Sequence, residues 1–272
     1  MNVDTVIQVL NATRDSNDAK RNEAEKALKE MTTAPHFFPI LLLILANPDL
    51  SRSIKLSAAI ALKNRLRNRY NDTDSNLISE EDRAIIRQNL IPTICGLSDQ
   101  SVLNLVGVAV EEVAGVDFPD KWPEAVSQIE AAMTNPAQFY NSVFVIKSIL
   151  RSFQYRSAKA PVHAVNQHFY PVILQWVQNA MSAPMNDSTL NTLELILKMY
   201  YTGLDLTSEN VSFIDINGLP TWVELCKVVL EMAPISQDNF NPDIPSSELN
   251  QLPEWHCKKW AMSILLDRKS VV

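Results

Sequence analysis

Apolar residues in this chain recur at helical spacing, in segments that are punctuated by proline and asparagine and that come in pairs. This paired periodicity limits the fold more than any other feature. The segments predicted as helices are Val3–Thr13 with Asp15–Thr32, Pro35–Asn47 with Ser53–Tyr70, and Ser79–Leu97 with Ser98–Val116. They continue as Pro119–Thr134 with Pro136–Tyr155, Val162–Met181 with Asp187–Leu204, and Thr221–Met232 with Pro253–Asp267. Six pairs in 272 residues give a period of roughly 45. A single pair is too thin to enclose a core, so each must bury its faces against the pairs before and after it. The expected fold is all-α: one continuous α-solenoid over residues 1–272, not several globular domains.

Composition agrees. There are 5 glycines in 272 residues, far below the usual share of roughly 7%. Barrels, dinucleotide-binding units and hairpin arrays all need more glycine turns than that. Pro92 and Pro171 fall inside predicted helices and are expected to kink them. Asn47-Pro48 and Asn135-Pro136 read as helix-start signals, and Ser98-Asp99 as a cap. Asn71–Ile78, Asp205–Leu219 and Pro234–Leu252 read as turns or loops; Val211–Ile216 has some strand character but is assigned to loop. A period near 45 belongs to the HEAT and armadillo class, which makes the expectation a right-handed superhelix of about six antiparallel HEAT-type pairs. The last helix stops in charged residues with no polar capping repeat, so the chain is expected to be the N-terminal part of a longer array.

Charge and cysteine content narrow the function. A net charge of −7 disfavours direct nucleic-acid binding and suits a receptor for basic partners. Cys95, Cys226 and Cys257 lack metal or redox spacing and read as buried thiols in a reducing compartment. The longest apolar run, Phe37–Ala46, is too short to cross a bilayer, so no membrane insertion is expected. His163 and His168 stand about 140° apart around a helix and cannot share a metal on one face. No nucleophile elbow, phosphate loop or metalloprotease motif is present; no enzyme and no cofactor are expected.

One segment carries more information than the rest. In Ser53–Tyr70 the first half, Ile54–Leu62, is apolar almost all round, and the second half carries Lys63, Arg65, Arg67 and Arg69. Ser53, Ser57, Asn64 and Asn68 fall within about 60° of one another and form a polar stripe. Lys63 and Arg67 make a cationic ridge beside it. Such a helix buries one half and offers the other to a partner.

The run LSAAIALKNRLRNRY, with its Leu62-Lys63-Asn64 step, resembles the second helix of the second HEAT repeat in the importin-β (karyopherin-β) family of nuclear transport receptors. Asp117-Phe118-Pro119-Asp120-Lys121-Trp122-Pro123 is similar to an aromatic-Pro-x-x-Trp entry common among importins. Asn166–Val172 and the run Leu252–Ala261, which holds Pro253-Glu254-Trp255-His256-Cys257-Lys258-Lys259-Trp260, resemble the importin-seven and importin-eight branch. Three arginines after the Lys63-Asn64 step, and a weakly acidic loop before Leu252, depart from the pattern.

The resemblance implies a receptor that shuttles between nucleus and cytoplasm and carries protein cargo, of basic character, through nuclear pores. It also implies binding of the small GTPase Ran in its GTP form by the N-terminal region, at about residues 1–116, and contact with Phe-Gly repeats of pore proteins. Carried onto this sequence, the Ran-binding candidates are Lys63, Asn64 and Arg67, then Arg21 and Asn22 with Glu25, and Asn104 and Glu111 with Glu112. A solvated basic helix end is the competing reading of the first three. Trp122, Trp255 and Trp260 are expected as packing anchors between repeats, with pockets for Phe-Gly repeats as the alternative. A generic HEAT-repeat scaffold that does not depend on Ran is the alternative function.

Overall fold

A computed structural model of the chain describes residues 1–70, 78–154, 159–182, 186–207, 218–232, 248 and 251–266. The described residues contain helices and no strand. The helices are α1 (Val3–Ala12), α2 (Asp18–Met31), α3 (Phe37–Ala46), α4 (Arg52–Arg69), α5 (Glu80–Cys95), α6 (Gln100–Asp117) and α7 (Glu124–Met133). They continue with α8 (Phe139–Ser152), α9 (Lys159–His168), α10 (Tyr170–Met181), α11 (Asp187–Thr207), α12 (Leu219–Glu231) and α13 (Pro253–Leu266). The chain divides into two compact units, Met1–Ser152 and Phe153–Val272.

Local chemistry sets the starts. Asn17 Oδ1 accepts from the Ala19 and Lys20 amides ahead of α2, and Ser79 Oγ accepts from Asp82 N ahead of α5. Asp99 Oδ1 accepts from the Ser101 and Val102 amides ahead of α6, while Arg52 of α4 donates to its other oxygen. Each cap satisfies amides that the first turn leaves without a helical partner.

In the first unit the first members of the pairs, α1, α3, α5 and α7, pack one on the next. The second members α4, α6 and α8 do the same beside them. The core lies between these layers, from Val6 and Leu10 through Phe37, Leu62, Leu66, Ile91 and Val110 to Trp122 and Ile146. Small residues allow close approach: a Cβ on Gly107 of α6 would stand 2.5 Å from Phe144 Cε1 of α8.

Buried polar groups tie the pairs together. The Tyr70 hydroxyl, at the end of α4, donates to Asp117 at the end of α6. Arg87 of α5 donates to Asp117 Oδ2 at 2.9 Å and to Glu80 at 2.7 Å, and Arg83 lies 4.5 Å over the Tyr70 ring. Burial and the hydrogen bond to Asp117 push the Tyr70 hydroxyl above its usual range. The guanidinium of Arg87 holds the Glu80 carboxyl below its own.

Pro92 sits inside α5 as expected. Lacking an N–H, it leaves the carbonyl of Gln88 without its helical donor. The Gln128 side chain of α7 donates to that carbonyl at 3.1 Å, and Trp122 Nε1 donates to the neighbouring Arg87 carbonyl at 2.9 Å. The next pair thus supplies donors beside the gap that the proline opens.

Several predicted boundaries are corrected. Pro171 does not kink one long helix; it separates two, with Phe169 between α9 and α10 and the proline in the first turn of α10. Steric conflict with the preceding residue makes a proline a better helix starter than helix interior. Residues 119–123 form a turn after a cis Phe118–Pro119 bond, so α7 begins at Glu124 and not at Pro119. Asn47 and Asn135 accept from the amides of Asp49 and Ala137. Each thereby shapes a turn, and the following helices start later, at Arg52 and Phe139. Helix α11 runs past Leu204 to Thr207. The loop assigned to Val211–Ile216 and most of those at Asn71–Ile78 and Pro234–Leu252 lie outside the described residues.

The second unit is built likewise. Helix α10 packs on α9 and α11, and α13 on α11 and α12. At its centre Trp222 stacks on Tyr200 at 3.9 Å and meets Tyr170 edge-on at 5.4 Å.

Candidate protein-binding face

The second helices α2, α4 and α6 carry the residues singled out in the sequence. On α4, Leu62 and Leu66 are fully buried, Lys63 is half-buried, and Asn64 and Arg67 are exposed. Lys63, expected to be exposed, is half-buried instead. Asn64 has a polar or charged partner of its own. Arg67 reaches across to α6, with Nε 4.0 Å from Glu112 Oε1. Glu111, one residue earlier, lies 3.9 Å from Arg151 of α8. A ladder of opposite charges therefore runs over α4, α6 and α8. Burial raises the Glu111 pKa despite the nearby Arg151 and Lys147.

The remaining candidates separate. Arg21, near the start of α2, donates to Asp18 and to the Asp15 carbonyl of the preceding turn, which makes it a brace more than a free contact. Asn22 and Glu25 are exposed on α2. Asn104 is exposed on α6 and accepts from Gln100 Nε2 at 3.1 Å. Ser53, Ser57 and Asn64 line a groove beside α1 and α2, so the polar stripe faces the first pair; nothing is described for the Asn68 side chain.

The three tryptophans also differ. Trp122 is fully buried, whereas Trp255 is 42% exposed and packs no core. Trp260 is half-buried against Tyr201, with Lys198 over its ring. Trp222, which periodicity did not distinguish from any other apolar position, is fully buried in the aromatic cluster.

Nothing in the described residues groups three or more histidine, cysteine or acidic side chains for a metal, and no described helix is long and apolar enough to cross a membrane. All three cysteines are buried, and burial pushes each thiol up to about 12.

Helix pairs whose first members pack one on the next, as do the second members α4, α6 and α8, with opposite charges along those second members, define a HEAT-repeat α-solenoid. The structure is similar to that of the exportin Cse1 in its cargo-free, cytoplasmic state, with a TM-score of 0.79 over 97% of this chain and 29% of that one, at 18% identity. Residues 24–95, from α2 to the end of α5, match the model of the Importin-beta N-terminal domain. Over that segment and in its relatives the chain is similar to proteins of the importin-β family. It is 25% identical to Importin-8 of Danio rerio over 97% of this chain and 27% of that protein. It is 26% identical to Exportin-2 of Homo sapiens over 82% of this chain and 23% of that protein. The chain thus spans about a quarter of the length of these relatives.

Proposed function

We propose that this chain binds Ran in its GTP form through the second helices of its first three pairs and acts in carrying protein cargo through nuclear pores. Ran engages Lys63, Asn64 and Arg67 of α4, with Asn22 of α2 and Asn104 and Glu111 of α6 beside them. Arg21 supports the turn that presents α2. Phe-Gly repeats of pore proteins and cargo of basic character are the further partners, and the protein shuttles between nucleus and cytoplasm. Relatives named as importin and as exportin both match, so either direction of transport is compatible with the comparisons.

The observation that carries this reading is the position of the strip. Asn64 and Arg67 are exposed at the end of a helix whose other side is closed by Leu62 and Leu66, and that helix lies within the matched N-terminal domain. Cationic side chains at an interface rim act chiefly through steering, so one substitution alone has a small effect. The test is titration with GTP- and GDP-loaded Ran. The unaltered protein should prefer the GTP form, and Lys63→Ala with Arg67→Ala should weaken that binding at least about tenfold, or 1.4 kcal/mol. Added salt should weaken the parent more than the double variant. Equal affinities with unchanged melting curves would return the strip to a solvated basic helix end. Lack of any nucleotide preference would favour a scaffold independent of Ran.

A further inference from the structure

The second helices α4, α6 and α8 pack side by side, but α2 does not join them; it rests on α1. A groove of about 720 Å³ is left between the first pair and α4. Its wall is apolar where Leu28 of α2 faces Leu56 and Ile60 of α4, and Ile60 is 44% exposed. Two arginines line it, Arg14 from the end of α1 and Arg65 from α4, against one carboxylate, the exposed Glu25. Among the described residues neither arginine forms an ion pair. Arg65 is half-buried, and burial together with Arg69 one turn on lowers its pKa. Among the described residues Arg69 Nη1 is buried with no acceptor, and no carboxylate forms an ion pair with Arg65 or Arg69.

We propose that this groove docks a segment of a partner protein that presents apolar side chains flanked by carboxylates. The apolar wall takes the side chains, and Arg65 and Arg14 take the carboxylates as charge-assisted hydrogen bonds. The space corresponds to about one and a half turns of a helix roughly 10 Å across. That size suits the buried side of a short amphipathic helix lying between α2 and α4, where the other second helices have a neighbour. Overall acidity works against diffuse attraction of such a segment, so binding depends on the local pair of arginines. Asn64 and Glu25, both Ran candidates, also line the groove, but none of Arg14, Ile60 and Arg65 is assigned to Ran, so substitutions there are read apart from those at Lys63 and Arg67.

The experiment uses the full chain and a fluorescein-labelled helical peptide with leucines at i, i+3, i+4 and i+7 and aspartate or glutamate elsewhere. Fluorescence anisotropy should show saturable binding. A peptide with serine for leucine, and one with lysine for the acids, should each bind at least about tenfold more weakly. Arg65→Glu and Arg14→Glu should each weaken the acidic peptide at least about tenfold, and Ile60→Ser several-fold, with melting curves unchanged. Should Arg65→Glu fail to fold, Arg14→Glu decides, because that side chain is exposed. No binding of the acidic peptide, equal binding of the serine peptide, or unchanged affinity in the folded arginine variants would overturn the proposal.

Discussion

Replacing Trp122 with alanine tests the coupling between successive pairs. The side chain is fully buried in the turn that leads into α7, and its indole N–H donates to the Arg87 carbonyl of α5 at 2.9 Å. Losing a buried aromatic of this size costs about 3–5 kcal/mol in transfer and cavity terms. The hydrogen bond contributes about 1 kcal/mol of that order, and its loss is only partly covered by Gln128 Nε2, which lies 3.4 Å from the same carbonyl. For a unit the size of Met1–Ser152, each kcal/mol moves the midpoint by about 2–4 °C, so the shift should be about 6–20 °C. Trp122→Phe keeps most of the apolar volume and loses the donor, and should cost about 1–2 kcal/mol. Trp255→Ala is the matched control: at 42% exposure it should shift the midpoint by no more than a degree or two, within about 0.5 kcal/mol. Calorimetry of the three variants gives the answer. An unchanged midpoint for Trp122→Ala, or an equal loss for Trp255→Ala, would refute the reasoning.

Three further expectations concern other parts of the fold. Gly107→Ala sets about 1 kcal/mol of helix propensity against the clash with the Phe144 ring, which costs about 1–3 kcal/mol. It should therefore destabilise the parent and stabilise a Phe144→Ala background, a change of sign readable in urea melts. Burial raises the Glu111 pKa, so the folded state holds that proton more readily than the unfolded chain, and stability falls as pH rises from the ordinary carboxylate range through the raised value. Glu111→Gln should then melt higher than the parent at neutral pH, with the difference gone below about pH 4. The three thiols, buried and pushed up to about 12, should resist iodoacetamide at neutral pH and all react in guanidinium, followed by mass spectrometry.

Helix identity and pairing were legible in the sequence because both are local. Apolar spacing, sparse glycine and capping residues such as Ser79 and Asp99 act within a turn or two of where they stand. Register at the prolines was less legible. Pro92 and Pro171 look alike in sequence, yet one stays inside a helix and the other begins one. The difference at Pro92 is that Gln128 and Trp122, from the next pair, supply donors to the carbonyls there. The tryptophans were unevenly legible: Trp122 is the buried anchor its motif suggested, but Trp255, expected to be the same, is exposed, and Trp222 is buried only by neighbours that tertiary packing brings to it.

On the candidate face, composition located the cationic end of α4, and residue type alone made Lys63 and Arg67 look equivalent. Folding half-buries Lys63 and sets Arg67 against Glu112. It also ties Arg21 to Asp18 and the Asp15 carbonyl and, among the described residues, leaves Arg69 Nη1 without an acceptor. The sequence by itself determined which segments are helical, how they pair and where positive charge gathers, since backbone hydrogen bonding and apolar periodicity are decided over a few residues. Which of those charges are neutralised, and the groove between α1–α2 and α4, were decided only by tertiary structure, because side chains far apart in the chain meet only once the pairs have stacked.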